Sequence, residues 1–445
     1  MTTPLVESHV VAARRLGRAL AGELHLPGES GYEVHRQPLH ATIDPRPAMV
    51  VEASGAADVR AAVVAAREHD LPLAVQATGH GTHVASDGAM LVRTMGMATV
   101  LVDPDRRVAR VGPGAVWGDV VAAAAPFGLA PLSGSSPDVG VTGYTLGGGL
   151  GWLARKHGFA ADSLLRAEVV TADGSIVTAS ADEHADLFWA LRGGGGNFGV
   201  VTALEFRLHP VARVYAGTSY FAIERAAETL ARYREWIADA PDALSTAVLL
   251  TRLPEGERVL AIRALHVGEA DEARRLLAPL FAAAGPPLVD GMRPTRFADA
   301  AMGGTAPKHV DLFDALPDAV IDTLVAADVP VSTVEVRHWG GAMARPAADA
   351  GPVGHRDVPL SVILDARVPA VVQALAPHAT GGSFLNFLAD PARTETAYTA
   401  ANYQGLRQVK AAYDPDNLLR IGHNIPPADA EVSRRSARRS RAASA

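Results

Sequence analysis

Three glycine-rich segments fall within the first two hundred residues of this 445-residue chain, at 78–81, 140–151 and 193–199. Glycine has no Cβ, so main-chain N–H groups in such turns can approach a ligand closely. A pyrophosphate requires several of these amides pointing inward at one place. Because three dense segments are poorly explained as tight turns alone, they predict a site for a pyrophosphate-bearing ligand in the first half of the chain.

Two common phosphate-binding motifs do not fit these segments. A Rossmann motif could be forced onto residues 147–151, but no strand directly precedes it and no acidic residue follows at the required distance. The G-K-[ST] signature of a P-loop occurs nowhere in the chain. A nicotinamide-dependent enzyme therefore remains only an outside alternative.

The totals exclude several classes of protein. Hydrophobic residues make up 48% and charged residues 20% of the chain, which is typical of a globular protein, and the length indicates two domains. The formal net charge of -7 gives no reason to expect nucleic acid as a partner. Without cysteine there are no disulfides, iron–sulfur clusters or cysteine-ligated zinc. We find no signal peptide and no membrane-spanning run, and expect a cytoplasmic protein.

The hydrophobic pattern changes near residue 213 and predicts an α+β fold. Before it, short strands and helices alternate, and a predicted strand at 73–77 leads into the first glycine segment. After it, longer alternating strands indicate a mostly antiparallel sheet covered by helices. Less regular predictions are a helical lead-in and polar loop at 1–46, a strand at 383–388 and a single helix at 394–413.

Four segments, in order, resemble the FAD-linked oxidases of the vanillyl-alcohol oxidase superfamily, in the berberine-bridge-enzyme-like branch. The end of the predicted strand at Gln76 together with residues 77–81 (A-T-G-H-G) resembles that family's pyrophosphate loop, usually written R-S-G-G-H. Residues 139–151 are similar to its V-G-V-G-G-H-x-x-G-G-G-x-G pattern, and residues 191–202 to its third signature. Residues 402–427 carry the pattern of its C-terminal segment. The resemblance covers nearly the whole chain.

The resemblance implies a PCMH-type FAD-binding domain in two parts plus a substrate domain. We expect the N-terminal part of the FAD-binding domain at 1–212 and the substrate domain at 213–390. Residues 391–428 would return to the FAD-binding domain. Residues 429–445, with five arginines among Ser and Ala, are expected to be a disordered basic tail.

The resemblance also implies FAD as cofactor, bonded covalently through His80 to the flavin 8α-methyl group. Main-chain groups of four neighbouring residues would bind the pyrophosphate: Ala77, Thr78, Gly79 and Gly81. Others would line the ribityl and adenine path: Val139, Gly140, Gly143, Gly147 and Val200. Asn424 would lie near the ring system, and Tyr144 replaces the family's histidine near the flavin C2 carbonyl.

Four departures from the family pattern change the expected chemistry. Gln76 replaces an arginine, so one charge beside the phosphates is missing. Ser136 replaces the cysteine of bicovalent members, so only a histidyl link can form. Phe384 replaces the first tyrosine of the Y-x-N-Y motif, which serves several relatives as the base. The resemblance places Val139 beside flavin C4a, where relatives carry bulkier aliphatic residues, and the smaller valine would favour reaction with O2.

Since the tyrosine base of the relatives is missing, we expect the base elsewhere in the substrate domain, with residues 334–339 as the best candidates. Period-two alternation places Glu335 and Arg337 on one face of a strand and His338 on the other. A charged pair facing the flavin could bind and deprotonate substrate, whereas a solvent-facing ion pair is the alternative. Tyr144 is a further catalytic candidate, as are His355 and Arg356. No metal site is predicted.

The sequence thus predicts an FAD-dependent oxidoreductase that removes a hydride from a small-molecule substrate, an alcohol, sugar or secondary metabolite. O2 is the expected electron acceptor. Two alternatives stay open: a flavin dehydrogenase with a non-oxygen acceptor, and a flavin-bearing protein with a non-redox role. The sequence fixes neither the substrate nor the oligomeric state.

Overall fold

The computed structural model describes residues 13, 16–39, 43–253, 255–326 and 331–429. Within these residues the strands form three sheets. Much of the predicted helical lead-in, and the predicted basic tail beyond residue 429, lie outside the described residues. No helix in the described ranges is long and apolar enough to cross a membrane.

The first sheet presents the first glycine segment at its edge. Its strands are β1 (Glu23–His25), β2 (Met49–Glu52), β3 (Leu73–Gln76) and β4 (Met90–Arg93). The order is β1-β2-β4-β3, with β2 and β3 parallel to β4 and β1 antiparallel to β2. Two helices belong to this part, α1 (Ser30–His35) and α2 (Ala56–Glu68). Helix α2 buries an apolar face against this sheet. This packing holds β3 in place, and the first glycine segment begins at the carboxyl end of β3.

The second sheet carries the other two glycine segments. Its strands are β5 (Val100–Asp103), β6 (Val108–Val111), β7 (Leu164–Val170), β8 (Ile176–Ser180) and β9 (Val200–Arg207), in the antiparallel order β5-β6-β9-β7-β8. Its helices are α3 (Trp117–Ala124), α4 (Val141–Leu146), α5 (Ala154–His157) and α6 (Ala185–Leu191). The second glycine segment contains α4, and the third leads from α6 into β9.

The third sheet confirms the predicted antiparallel architecture. Its strands are β10 (Arg213–Ala222), β11 (Leu244–Arg252), β12 (Arg258–His266), β13 (Arg293–Arg296), β14 (His309–Phe313), β15 (Val334–His338) and β16 (Leu360–Leu364). Neighbours in the order β13-β10-β12-β11-β15-β16-β14 all pair antiparallel. Its helices are α7 (Ala226–Trp236), α8 (Ala270–Ala284), α9 (Asp318–Val325) and α10 (Pro369–Leu375).

The two faces of the third sheet have different neighbours. Val334 and Val336 point into an apolar core shared with α7 to α10. Alternation puts Glu335 and Arg337 on the opposite face. There, side chains of β11 and β12 form one core with Trp152 and with Tyr144 of α4. This face is therefore turned towards the glycine-rich part of the chain.

Two predicted elements near the C-terminus are wrong. The predicted strand at 383–388 is a 3-10 turn (Leu385–Phe387), because Phe384 packs into a cluster of aromatic rings with Phe159 and Trp339. The predicted helix at 394–413 is two elements, a 3-10 helix (Pro391–Ala397) and then α11 (Ala400–Tyr413). Thr399 separates them because its side chain accepts a hydrogen bond from the main-chain N–H of Asn402 and starts α11.

Candidate active site

The first two glycine segments lie against each other. A methyl group added at Gly140 would lie 3.3 Å from Thr78 Oγ1 and 3.9 Å from the Ala77 Cβ. Gly140 also forms a β-bridge with Val116, and the Val139 carbonyl accepts from the N–H of Trp117. The loop after β3 and the start of α4 therefore lie side by side and border one cleft.

His80 lies between these two segments. Its Nδ1 is 2.9 Å from Thr78 Oγ1, and its Nε2 is 3.2 Å from a carboxylate oxygen of Asp138. Its side chain is 25% exposed, so the ring is neither buried in a core nor fully in solvent. Gly79, which precedes it, has a φ of +81° that a side chain would strain. The two contacts fix the orientation of the imidazole.

The cleft has room and unused polar groups. A methyl group added at Gly81 or Gly143 would meet no protein atom within 4 Å. Three buried hydroxyl groups of α4 have no hydrogen-bond partner in the described structure: those of Thr142, Tyr144 and Thr145. Buried polar atoms are normally paired, so each of these hydroxyl groups is available to a ligand that reaches it.

Gly147 packs closely against the C-terminal part of the chain. The side-chain amide of Asn386 lies against it, 2.6 Å from the position of an added methyl group. The same amide donates to the Tyr144 carbonyl and accepts from the Gly149 N–H. Gly147 thus allows close packing of the C-terminal part on α4, whereas the open face of α4 is at Gly143.

The third glycine segment is joined to the C-terminal segment through Asn197. Its side chain donates to the carbonyls of Gly194 and His423 and accepts from the N–H of Ile425. Asn424 lies between these contacts, and its side-chain oxygen is buried without a hydrogen-bond partner in the described structure. Val200 follows at the start of β9 and is buried. The C-terminal segment around His423 and Ile425 is thus hydrogen-bonded to the third glycine segment.

A buried ion pair supports this junction. Lys410 Nζ lies 2.6 Å from Asp414 Oδ2 and 2.8 Å from the carbonyl of Asn197. Both side chains are fully buried, and burial lowers the pKa of Lys410 although Asp414 opposes the shift. Asp414 also accepts from the N–H groups of Leu418 and Leu419. Both residues lie within the C-terminal pattern at 402–427, but that pattern does not predict that they form a pair.

A charged cluster lies on the inner face of the third sheet. Glu335 Oε1 is 3.9 Å from Arg337, and Glu335 Oε2 is 3.9 Å from Arg263 of β12. Thr305 donates to Oε2 at 2.7 Å. The side chains of Glu335 and Arg337 are 1% and 6% exposed, so the alternative of a solvent-facing ion pair is wrong.

Tyr144 connects this cluster to the cleft. The guanidinium of Arg337 stacks on the Trp152 ring at 4.4 Å, and Tyr144 and Trp152 share one core. Burial raises the pKa of the Tyr144 hydroxyl well above its usual value, and the positive charge of Arg337 opposes this shift. Tyr144 therefore stays protonated at neutral pH and is a hydrogen-bond donor. The structure thus brings together the three predicted catalytic residues Glu335, Arg337 and Tyr144.

The remaining candidates lie elsewhere. His338 is on the other face of β15, as predicted, with Nε2 2.8 Å from Arg155. His355 bonds a main-chain carbonyl, and Arg356 forms a two-point contact with Asp162. No group of His, Asp or Glu side chains among the described residues could hold a metal ion.

Sequence reasoning missed Arg263 and Thr305. Arg263 had a usable signal, because it is a charged residue in the middle of the apolar strand β12. Thr305 had none, since it lies in a segment without regular structure. Its role depends on a contact with a residue thirty positions away.

The cleft fits FAD. It offers glycine-lined open space beside His80, unpaired hydroxyl groups along α4 and an unpaired amide oxygen at Asn424. Ala77, Thr78 and Gly79 are on the β3 side, and Val139, Gly140 and Gly143 are on the α4 side.

Comparisons with known proteins agree with this geometry. Residues 47–180 match the model of the FAD binding domain, and residues 383–426 match the model named berberine and berberine like. The uncharacterized FAD-linked oxidoreductase YgaK of Bacillus subtilis (strain 168) is 27% identical over 442 residues, which is 92% of this chain and 97% of that one. The (R)-6-hydroxynicotine oxidase of Paenarthrobacter nicotinovorans is 35% identical over 237 residues, 53% of this chain and 48% of that protein.

The fold of a solved structure is also similar. The glucooligosaccharide oxidase of Acremonium strictum, described as carrying 6-S-cysteinyl, 8α-N1-histidyl FAD, superposes with a TM-score of 0.81 at 23% identity. The match covers 94% of this chain and 99% of that one. The two family models and these relatives support an FAD-linked oxidoreductase of the vanillyl-alcohol oxidase superfamily, in the berberine-bridge-enzyme-like branch. The chain is an FAD-dependent enzyme with the predicted α+β, PCMH-type architecture.

Proposed function

We propose that this enzyme is an oxidase that carries FAD covalently on His80 and oxidises a small alcohol, sugar, amine or secondary metabolite, with Glu335 as the base. The observation that carries the proposal is the buried cluster of Glu335, Arg337 and Arg263, which adjoins the glycine-lined cleft through Tyr144. A charged group inside a sheet is costly unless it is used or fully paired. Here several of its polar atoms remain unpaired.

The orientation of His80 supports a covalent link. Thr78 and Asp138 lie against the two ring nitrogens. One nitrogen would exchange its hydrogen bond for the bond to the flavin, and the contact of the other nitrogen would keep the ring in position to react. The structurally similar glucooligosaccharide oxidase is described with a histidyl link of this kind. With Ser136 where bicovalent relatives have cysteine, the proposed link is single.

Glu335 is suited to accept the substrate proton. Thr305 holds Oε2, which leaves the buried Oε1 without a hydrogen-bond partner and available to a substrate hydroxyl or amine. The Tyr144 hydroxyl is a second, unpaired donor beside the cluster. FAD, when bound, supplies the two-electron acceptor for the substrate hydride, while the proton goes to Glu335.

The proposal includes O2 as the electron acceptor and a cytoplasmic location. Val139 leaves a small obstruction at the position that the family resemblance places beside the flavin. O2 would take two electrons and two protons and leave as hydrogen peroxide. Cell fractionation of the native host would test the location.

The test is a stopped-flow experiment on the purified protein. We expect anaerobic flavin bleaching by at least one member of an alcohol, sugar and amine panel. Reoxidation in air-saturated buffer should then be complete within seconds and release hydrogen peroxide. Reoxidation over minutes in air but quickly with a quinone would select a dehydrogenase, and absence of bleaching by any substrate would favour a non-redox role.

A further inference from the structure

The charged cluster on the inner sheet face carries an excess positive charge. Among the described residues it contains two guanidinium groups, Arg263 and Arg337, and one carboxylate, Glu335. Their side chains are 14%, 6% and 1% exposed. Burial lowers the pKa of Arg263, and Arg337 lowers it further, whereas Glu335 is the carboxylate that opposes the shift. One positive charge is therefore left without a counter-charge in a place where desolvation is costly.

Both arginines also have unused donors. Arg263 Nε donates to Thr218 Oγ1 at 3.2 Å, but its Nη1 is buried without a hydrogen-bond partner. Arg337 Nη2 is buried and unpaired as well. A buried N–H group without a hydrogen-bond acceptor costs free energy. An anion between the two arginines would accept hydrogen bonds from both and supply the missing negative charge.

The register of the sheet places the two arginines in one row. Arg263 pairs with Ala247 on β11, and Ala247 pairs with Arg337 on β15. The three residues therefore form one row across three strands, with the arginines about 10 Å apart at the backbone and a short side chain between them. A planar, singly charged group suits a row of this kind, because the unpaired Nη1 of Arg263 and the unpaired Nη2 of Arg337 can each donate to one of its oxygens.

We propose that this row binds a carboxylate of the substrate, so that the enzyme acts on carboxylic acids that also carry an oxidisable hydroxyl or amine. The inference rests on the proposed function, because the hydroxyl or amine is the group that Glu335 would deprotonate. Only one charge is uncompensated, which matches a carboxylate monoanion better than a phosphate dianion. Arg337 keeps its plane fixed by stacking on Trp152, and Trp152 lies where its fluorescence would respond to an anion.

The experiment compares three anions with their neutral amides: acetate with acetamide, benzoate with benzamide, and nicotinate with nicotinamide. Each probe is titrated into the purified holoenzyme at constant ionic strength, with flavin absorbance and tryptophan fluorescence as readouts. We expect at least one anion to bind about tenfold or more tightly than its amide, because charge-assisted hydrogen bonds are the strong ones. Affinities within twofold for all three pairs would overturn the proposal.

Variants identify the groups responsible. Arg263→Gln should bring the ratio of anion to amide affinity close to one. Arg263→Lys, which keeps the charge but loses the guanidinium group, should keep part of the preference and covers the case in which the glutamine variant does not fold. Arg252→Gln removes an exposed charge from the end of β11 and should leave the ratio unchanged. A ratio that survives in both Arg263 variants would contradict the assignment.

Fluorescence separates this inference from the proposed function. Trp152→Phe should abolish the fluorescence response and so confirm which tryptophan reports the anion. A yellow, oxidase-active protein without anion preference would contradict the carboxylate site alone. A colourless protein that still prefers anions would contradict the proposed oxidase function and leave the anion site standing.

Discussion

The cleft beside His80 and the charged cluster beneath the third sheet are built on different principles. The cleft consists mostly of main chain and small residues. At Gly81 and Gly143 the absence of a side chain leaves room for a ligand. The cluster consists of single charged side chains inside an apolar face. Substitutions that add atoms to the cleft should therefore lower FAD binding. Substitutions that neutralise one charged group of the cluster should instead lower the rate of substrate oxidation.

The largest effect is expected at Glu335. Glu335→Gln keeps the shape of the side chain but removes the proposed base, so substrate-driven flavin reduction should slow by about 10² to 10⁴-fold. Flavin content should be unchanged, because the residue is not part of the cleft. Anaerobic stopped-flow absorbance measures the rate, and Glu235→Gln, at an exposed position of α7, is the control. A decrease of less than about threefold, below the usual contribution of such a base, would assign the proton transfer to another group.

The next largest effect is on stability, at the junction below the cleft. Lys410→Met removes one partner of a fully buried ion pair and leaves Asp414 uncompensated. The free energy of unfolding should fall by about 3–5 kcal/mol. Denaturant titration measures it, with Arg420→Met, at an exposed position of the same segment, as the matched charge change. Equal destabilisation by both variants would contradict a special role for the pair.

Two glycines of the cleft should respond differently to substitution. A Cβ added at Gly143 meets no protein atom within 4 Å, so we expect Gly143→Val to change the free energy of unfolding of the apoprotein by less than about 1 kcal/mol. It should nevertheless lower the FAD content severalfold, because the added methyl groups occupy the cofactor's space. Gly147→Ala should instead destabilise the protein itself by pushing against Asn386.

The measurement for both glycines is the ratio of flavin to protein absorbance together with thermal unfolding. Full FAD content in Gly143→Val would show that the cofactor does not run along this face of α4.

The smallest effect is expected from His338, which lies on the face of β15 opposite Glu335, and it concerns the pH dependence of stability. Burial lowers the pKa of His338 to about 2, and a guanidinium N–H of Arg155 donates to its Nε2, so the folded ring stays neutral. The unfolded ring titrates near 6.5. Below that pH the unfolded state binds one more proton than the folded state, and stability falls by about 1.4 kcal/mol per pH unit.

His338→Gln should therefore make the free energy of unfolding less dependent on pH between about pH 6 and 4.5. Denaturant titrations across that range give the slope. A slope that stays as steep as in the unsubstituted protein would mean that other groups carry the acid sensitivity.

The same contrast explains what could be predicted from the sequence. The cleft was predictable because His80 and its glycines are contiguous, and a tight turn needs a particular residue at a particular position. The face of Glu335 and Arg337 followed from strand alternation alone. Arg263 and Thr305 were missed because they join Glu335 only after three separate segments have packed.

The two wrong elements have the same origin. The pattern around Phe384 is apolar enough for a strand, but tertiary packing against Phe159 and the bonds of Asn386 to α4 impose a 3-10 turn. Local propensity is a weak signal where side-chain contacts of long sequence separation decide the backbone. Gly147 shows the same limit, since its neighbour in space is Asn386, more than two hundred positions later.

The central claim is that the glycine-lined cleft holds FAD and that His80 is bonded to it. Acid precipitation of the purified protein, followed by mass spectrometry of the pellet, tests this most directly. We predict a yellow pellet whose peptide containing His80 carries the mass of FAD, and a colourless pellet with released flavin for His80→Ala. A colourless pellet from the unsubstituted protein, or an FAD adduct that persists in His80→Ala, would contradict the account.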